Sequence, residues 1–146
     1  FVQSGDTITA RYIDASTGSN VVVTATVDTT PPVISGVSAA ARFGDAVVTW
    51  STSEPSDSTV QYGQSSLLDR TAYDGRFTTN HSVNVTGLSA NQTYYFLGVS
   101  RDQAGNVTVD DNNGALYILQ TKRAPQRPWF DDLENGASDW TVVPDP

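Results

Sequence analysis

The sequence contains no cysteine and no methionine, a single histidine, His81, and a single lysine, Lys122. Without cysteine there is neither a disulfide nor a thiolate metal site, and one histidine alone cannot build a zinc centre. With no methionine anywhere, Phe1 is not a translational start, so the chain is expected to be a processed product or part of a longer polypeptide. No run of about 18 apolar residues occurs and no charged-then-apolar leader opens the chain, so a soluble piece without membrane insertion is expected. Basic residues are scarce too, 8 against 16 acidic ones, for a net charge of −8. No basic stripe exists to displace counterions from a phosphate backbone, which excludes nucleic acid as the expected partner and disfavours anionic membranes.

What is present is β-forming. Aliphatic and aromatic residues make up 38% of the chain and charged residues only 16%, while Thr, Ser, Val, Asn and Gly are abundant. That is an all-β composition. Prolines punctuate it at Pro31-Pro32 and again at Pro125 and Pro128, each time after a strand-like run that they cannot continue. The acidity is concentrated at the end: residues 1–32 carry −2, residues 33–124 carry −2 and residues 125–146 carry −4.

The first segment reads as two strands, DTITARYID (6–14) and VVVTATVD (21–28), joined by ASTGSN. Ile8, Ala10 and Tyr12 alternate onto one face of the first, and Val21, Val23, Ala25 and Val27 onto one face of the second. A lone hairpin is marginal in water, so a covering partner is expected from the next segment, from upstream strands or from another chain. The middle segment yields seven strand candidates, at 33–39, 45–51, 58–63, 66–73, 79–88, 92–100 and 114–121, separated by turn-forming stretches such as Glu54-Pro55-Ser56-Asp57, Asp74-Gly75 and Gln103-Ala104-Gly105-Asn106. Seven short strands at this spacing predict an antiparallel two-sheet sandwich with an extra N-terminal β-hairpin and an extended C-terminal tail. Period two names its inward set: Ala46, Val48 and Trp50; Val60 and Tyr62; Val83, Val85 and Leu88; Tyr94, Phe96 and Gly98.

Trp50, the run Val60-x-Tyr62-Gly63, and Leu88 followed six residues later by Tyr94 resemble the fibronectin type III domain of secreted bacterial and archaeal multi-domain proteins. The resemblance covers residues 33–124 and implies an immunoglobulin-like sandwich with a core of Trp50, Tyr62, Leu88, Tyr94 and Phe96. It also implies a tyrosine corner, in which the Tyr94 hydroxyl bonds to the backbone of the preceding loop. Residues 1–30 are similar to the last strand pair of an immunoglobulin-like repeat. The tail PWFDDLENGASDW (128–140) is similar to the opening strand of a jelly-roll domain found in secreted proteases. The implied division is 1–30, 31–124 and 125–146.

Each chemistry-bearing group has a structural reading. YYFLGVSRDQAGN (94–106) combines aromatics with an Asp-x-x-Gly-Asn turn, and reads as an inward-facing strand entering a tight loop. His81 shares a face with Val83 and Val85, and no positioned nucleophile accompanies it, so no catalysis and no cofactor are expected. Asp110, Asp111, Asn112 and Asn113 supply calcium-type oxygen ligands in one loop, with Asp110, Asp111 and Asn113 as the metal candidates. They lack the alternating spacing and the closing glutamate of a calcium loop, and read as a hairpin tip. Asp131, Asp132 and Glu134 read as ligands only within a completed downstream domain. Tyr73, Phe77, Tyr95, Trp129 and Trp140 are the aromatics outside the inward set on which a carbohydrate would stack. Sequons occur at Asn80, Asn84, Asn91 and Asn106, with Asn84 and Asn106 expected on exposed positions.

The expected function is that of a non-catalytic spacer in a secreted or surface-attached multi-domain protein, with neighbouring domains of the same polypeptide as partners. Two further classes stand beside it. One is a subunit that assembles extracellularly with identical chains by strand complementation; the other is an accessory domain of a secreted protease or glycan-degrading hydrolase.

Overall fold

Val, Ile, Thr and aromatic residues recur at every second position along much of residues 7–120, and the backbone follows that period. The computed structural model describes residues 1–124. Among these the regular structure is all β, in antiparallel sheets, with no helix. Pro125 and Pro128, the jelly-roll-like tail, its acidic residues Asp131, Asp132 and Glu134, and Trp129 and Trp140 lie outside the described residues.

β1 (Thr7–Ile13) and β2 (Asn20–Thr26) form a two-stranded sheet in the register Ile8–Ala25, Ala10–Val23 and Tyr12–Val21. The two apolar rows foreseen from the sequence therefore lie side by side on one face. Among the described residues nothing covers that face: every β1 residue is exposed and within β2 only Val21 is half-buried.

The remaining strands make one six-stranded sheet: β3 (Ile34–Ala41), β4 (Asp45–Gly63), β5 (Arg70–Thr86), β6 (Thr93–Arg101), β7 (Val107–Asp110) and β8 (Tyr117–Gln120). β4 and β5 form a long ribbon. The other edge of β4 pairs first with β3, through residues 46–52, and then with β6, through residues 59–63. β7 and β8 both pair with the far edge of β6, at 98–101 and 93–96 respectively. β3 also approaches β7 and β8, so the bent ribbon folds back over the core.

Strand count and boundaries differ from the expected seven. The runs 45–51 and 58–63 are a single 19-residue strand, because Pro55 falls where β4 has no β5 partner, between Ser51–Asn80 and Ser56–Thr78, and its missing N–H breaks no ladder bond. The runs 66–73 and 79–88 likewise belong to one strand, β5. Asp74-Gly75 builds a bulge there rather than a turn: register slips between Ser56–Thr78 and Ser58–Asp74, and the Arg76 guanidinium folds back on the Asp74 carboxylate at 2.6 Å. Val107–Asp110, expected as loop, pairs with the end of β6 as β7.

Alternate residues of the ribbon and of β6 point to one core. Ala46, Val48, Trp50, Val60, Tyr62, Val83, Val85, Leu88, Tyr94 and Phe96 are all buried, joined by Leu119 of β8, and Ile34, Val37, Ala39 and Ala41 of β3 pack against them. Burial of each larger side chain is worth roughly 1.5 to 3 kcal/mol. Tyr117 stacks on Phe96 with ring centroids 5.3 Å apart.

Candidate functional site

Two polar constellations sit around the bend of the ribbon. The first is centred on His81, which β5 presents on the same face as Val83 and Val85 and which is only 3% exposed. Its ring lies on Trp50, and the indole N–H donates to the Ser100 hydroxyl at 2.9 Å. Nδ1 is 2.7 Å from Ser58 Oγ and Nε2 is 2.8 Å from Thr52 Oγ1. The Thr52 hydroxyl donates to the Glu54 carbonyl at 2.7 Å and accepts from Ser56 at 3.2 Å. With its one proton committed, Thr52 receives the Nε2 proton, and Nδ1 accepts from Ser58. Burial favours the neutral imidazole and pushes its pKa down against the opposing pull of Asp57 and Asp74, and it is the neutral ring that accepts the Ser58 hydroxyl at Nδ1.

The Ser58–His81 distance is one that a nucleophile and its base adopt. The rest of the arrangement is unlike a hydrolytic centre. The far nitrogen meets a hydroxyl instead of a carboxylate, and Ser58 and His81 are both sealed, at 2% and 3% exposure. Beside Ser58 a cleft of about 390 Å³ opens between β4 and the β5 bulge, with the Asp74–Arg76 ion pair on its wall. The cluster's chemistry is structural satisfaction: every buried side-chain polar atom among the described residues has a hydrogen-bond partner.

The second constellation lies where the hairpin joins the larger sheet. Asp102, the residue after β6, is 3% exposed and accepts both the backbone and the side-chain N–H of Asn106, each at 2.8 Å. Gly105 closes this turn at φ +97°, a conformation that favours glycine. Burial pushes the Asp102 pKa up, but the hydrogen bonds from Asn106, Gly105 and Ala104 outweigh it and hold the carboxyl below its ordinary range. The Asn106 amide also donates to the carbonyls of Asp28, at 3.3 Å, and Thr30, at 3.5 Å. The turn therefore grips the linker. Pro32 is fully buried, and Val33 N–H donates to Ser53 Oγ at 2.9 Å.

Asp28, Glu54 and Asp102 bring carboxylate oxygens within 4.8 Å of one another. Burial and the charges of Asp28 and Asp102 raise the Glu54 pKa. Three hard oxygen donors of this kind suit a divalent cation of the calcium class or a shared proton. Asp28 and Glu54 carry no local sequence signal, since they are far from Asp102 along the chain and are joined to it only by the fold.

The residues singled out from the sequence are distributed differently. The Asp110 carboxylate accepts the Tyr117 hydroxyl at 3.1 Å and the Asn112 N–H at 3.1 Å, and Asp111 accepts the Gly114 N–H at 2.9 Å. Asn113 is exposed with φ +56°. The loop oxygens thus serve their own turn and are not gathered into one cluster. Burial and the neighbouring Asp110 raise the Tyr117 pKa. Tyr73 and Phe77 are exposed, whereas Tyr95 is half-buried beside Gln64–Ser66 and Gly114–Leu116 in a separate shallow cleft of about 490 Å³. Among the sequons, Asn80, Asn84 and Asn91 are exposed, but Asn106 is half-buried with its amide committed to Asp102 and the linker, which corrects its expected exposure.

No protein-family model, no curated protein and no solved structure matches the chain.

Proposed function

We propose that residues 31–124 are a non-catalytic structural module of the fibronectin type III kind, one strut of a secreted or surface-attached multi-domain protein. In this reading β3 and the adjoining halves of β4 and β5 form one layer of a sandwich, and the other halves with β6, β7 and β8 form the second. The Ser89 N–H donates to the Tyr94 hydroxyl at 2.9 Å, a contact of the tyrosine-corner type, which supports it.

The observation that carries the functional reading is the gripped linker. The Asp102–Asn106 turn bonds the Asp28 and Thr30 carbonyls, and buried Pro32 follows. A module that hydrogen-bonds its own connector fixes the direction of its neighbour, which is what a strut requires and a flexible bead does not.

The test is ¹⁵N relaxation on the full chain. Residues 6–28 and 31–124 should report one common tumbling time, and Asn106→Ala should let the first group move faster. Independent tumbling in the parent chain would sink the reading.

A further inference from the structure

We propose that His81 is a proton-operated latch: it pins the bulged middle of β5 to β4, and protonating its ring lets that stretch swing away while the rest of the larger sheet stays folded. The device goes beyond the structural-module reading and stands whether or not that reading does.

Little else holds that stretch. Among the described residues β5 pairs with β4 alone, so it is an edge strand. Its ladder is continuous from Arg70 to Asp74 and again from Asn80 to Thr86, but between them only Thr78 is in register, opposite Ser56. From Arg70 to Asn80 no residue is fully buried, and Phe77 is 49% exposed. His81 is the first that is buried, and its ring reaches both ends of the gap on β4. Nε2 meets Thr52 at 2.8 Å, one residue past the Ser51–Asn80 pair, and Nδ1 meets Ser58 at 2.7 Å, at the Ser58–Asp74 pair. One side chain thus stands in for the missing rungs. A segment with an interrupted ladder and few buried contacts belongs at the low end of local stability.

The latch fits only a neutral ring. Ser58 donates to Nδ1, so an imidazolium, which carries a proton on each nitrogen, obliges that hydroxyl to turn away. No carboxylate contacts the ring to compensate. On β4 the Asp57 carboxylate accepts the Arg101 N–H at 2.9 Å and the Tyr73 hydroxyl at 3.4 Å, and it is the Glu54 carbonyl, not its carboxylate, that meets Thr52. On β5 Asp74 is paired with Arg76, and after β6 Asp102 is taken by Asn106. Arg101 adds a like charge at the end of β6, and β3 offers no ionisable side chain. Asp57 and Asp74 favour a proton on the ring through space, but burial outweighs them.

Opening removes the conflict. With β5 peeled back over residues 74–81 the ring enters water and titrates near its ordinary 6.5, whereas the closed ring titrates lower. Between those two values the opening constant rises about ten-fold for each pH unit of acidification. The cleft of about 390 Å³ beside Ser58, walled by Asp74, Phe77 and Asn80, then extends inward to the face of Trp50 that His81 covers. Mild acid thereby uncovers an aromatic surface that is sealed at neutral pH.

Amide hydrogen exchange on the full chain, followed by NMR between about pH 7.5 and 5.5 with small additions of urea, tests the latch. Amides of residues 74–81 and of the facing 52–58 should exchange through an opening that urea barely affects, because it uncovers little surface. Those of Val48, Val60 and Phe96 in the core should depend steeply on urea. Corrected for intrinsic exchange, protection of the segment should fall by about ten-fold per pH unit on acidification. His81→Asn should flatten that dependence, and Glu54→Gln, which alters only the neighbouring acids, should leave it in place. If His81→Asn does not fold, the parent's imidazole signals decide: the ring should hold its proton on Nε2 at neutral pH and titrate below 6.5. A ring that titrates at 6.5 or above, segment amides that exchange in step with the core at every urea concentration, or an unchanged pH slope in His81→Asn would each overturn the proposal.

Discussion

Trp50 and His81 lie face to face across neighbouring strands, with ring centroids 4.9 Å apart and planes within 10° of parallel. The pairing places the chain's one imidazole against the largest core side chain, with a hydroxyl on each ring nitrogen: Ser58 on Nδ1 and Thr52 on Nε2. Each nitrogen contact suits a neutral ring, since an imidazolium would turn Nδ1 into a donor facing a hydroxyl that currently donates to it.

A pH dependence follows. His81 has a folded pKa below its ordinary value of 6.5, so as pH falls through that value the unfolded chain takes up a proton that the folded chain refuses. Stability should therefore drop on acidification, beginning near 6.5 and continuing until the folded pKa is reached. Calorimetric melting temperatures between about pH 7.5 and 5 should decline, and His81→Asn should flatten that part of the profile whatever it costs in absolute stability. An unchanged slope in the variant would exclude the ring as the titrating group.

The Tyr94 hydroxyl offers a separate measurement. It accepts the Ser89 N–H at 2.9 Å while its ring is 1% exposed. Tyr94→Phe keeps the ring and leaves a partly buried amide without its partner, at a cost of about 1 to 2 kcal/mol. Urea unfolding should show a lower midpoint with an unchanged slope, since the surface buried is the same. A loss near zero would mean that water replaces the hydroxyl at no cost.

Much of this architecture is legible in the sequence. Period two named Trp50, Tyr62, Leu88, Tyr94 and Phe96, and all are buried, because alternation on a half-covered strand reports burial directly. What escaped were the breaks. Pro55 and Asp74-Gly75 look like turns in the sequence, yet a proline is harmless where no ladder bond is due, and an Asp-Gly pair fits a bulge as readily as a hairpin tip. The joint at the linker was half legible. The Asp102–Asn106 turn is local and carries its own signature, whereas Asp28, Glu54 and the Thr52–Ser56–Ser58 hydroxyls are assembled by tertiary folding alone.

Glu54 supplies the last prediction. Its carboxylate faces those of Asp28 and Asp102, and burial together with their negative charge holds its pKa above the ordinary 4.5. A carboxyl with a raised folded pKa is protonated more readily in the folded state than in the unfolded one. Its favourable contribution is therefore fully present below 4.5 and is lost as pH rises through the folded value, leaving an unfavourable charge at neutrality. Glu54→Gln removes that charge while keeping the side chain's shape. The variant should melt higher than the parent at pH 7, and the two should converge at about pH 3, where Glu54 is protonated in both states. Added salt should narrow the gap at pH 7, because the repulsion lies near the surface. A variant that melts lower at pH 7 would show that the Glu54 carboxylate is held by a net attraction, and would overturn the reading of repulsion among the three acids.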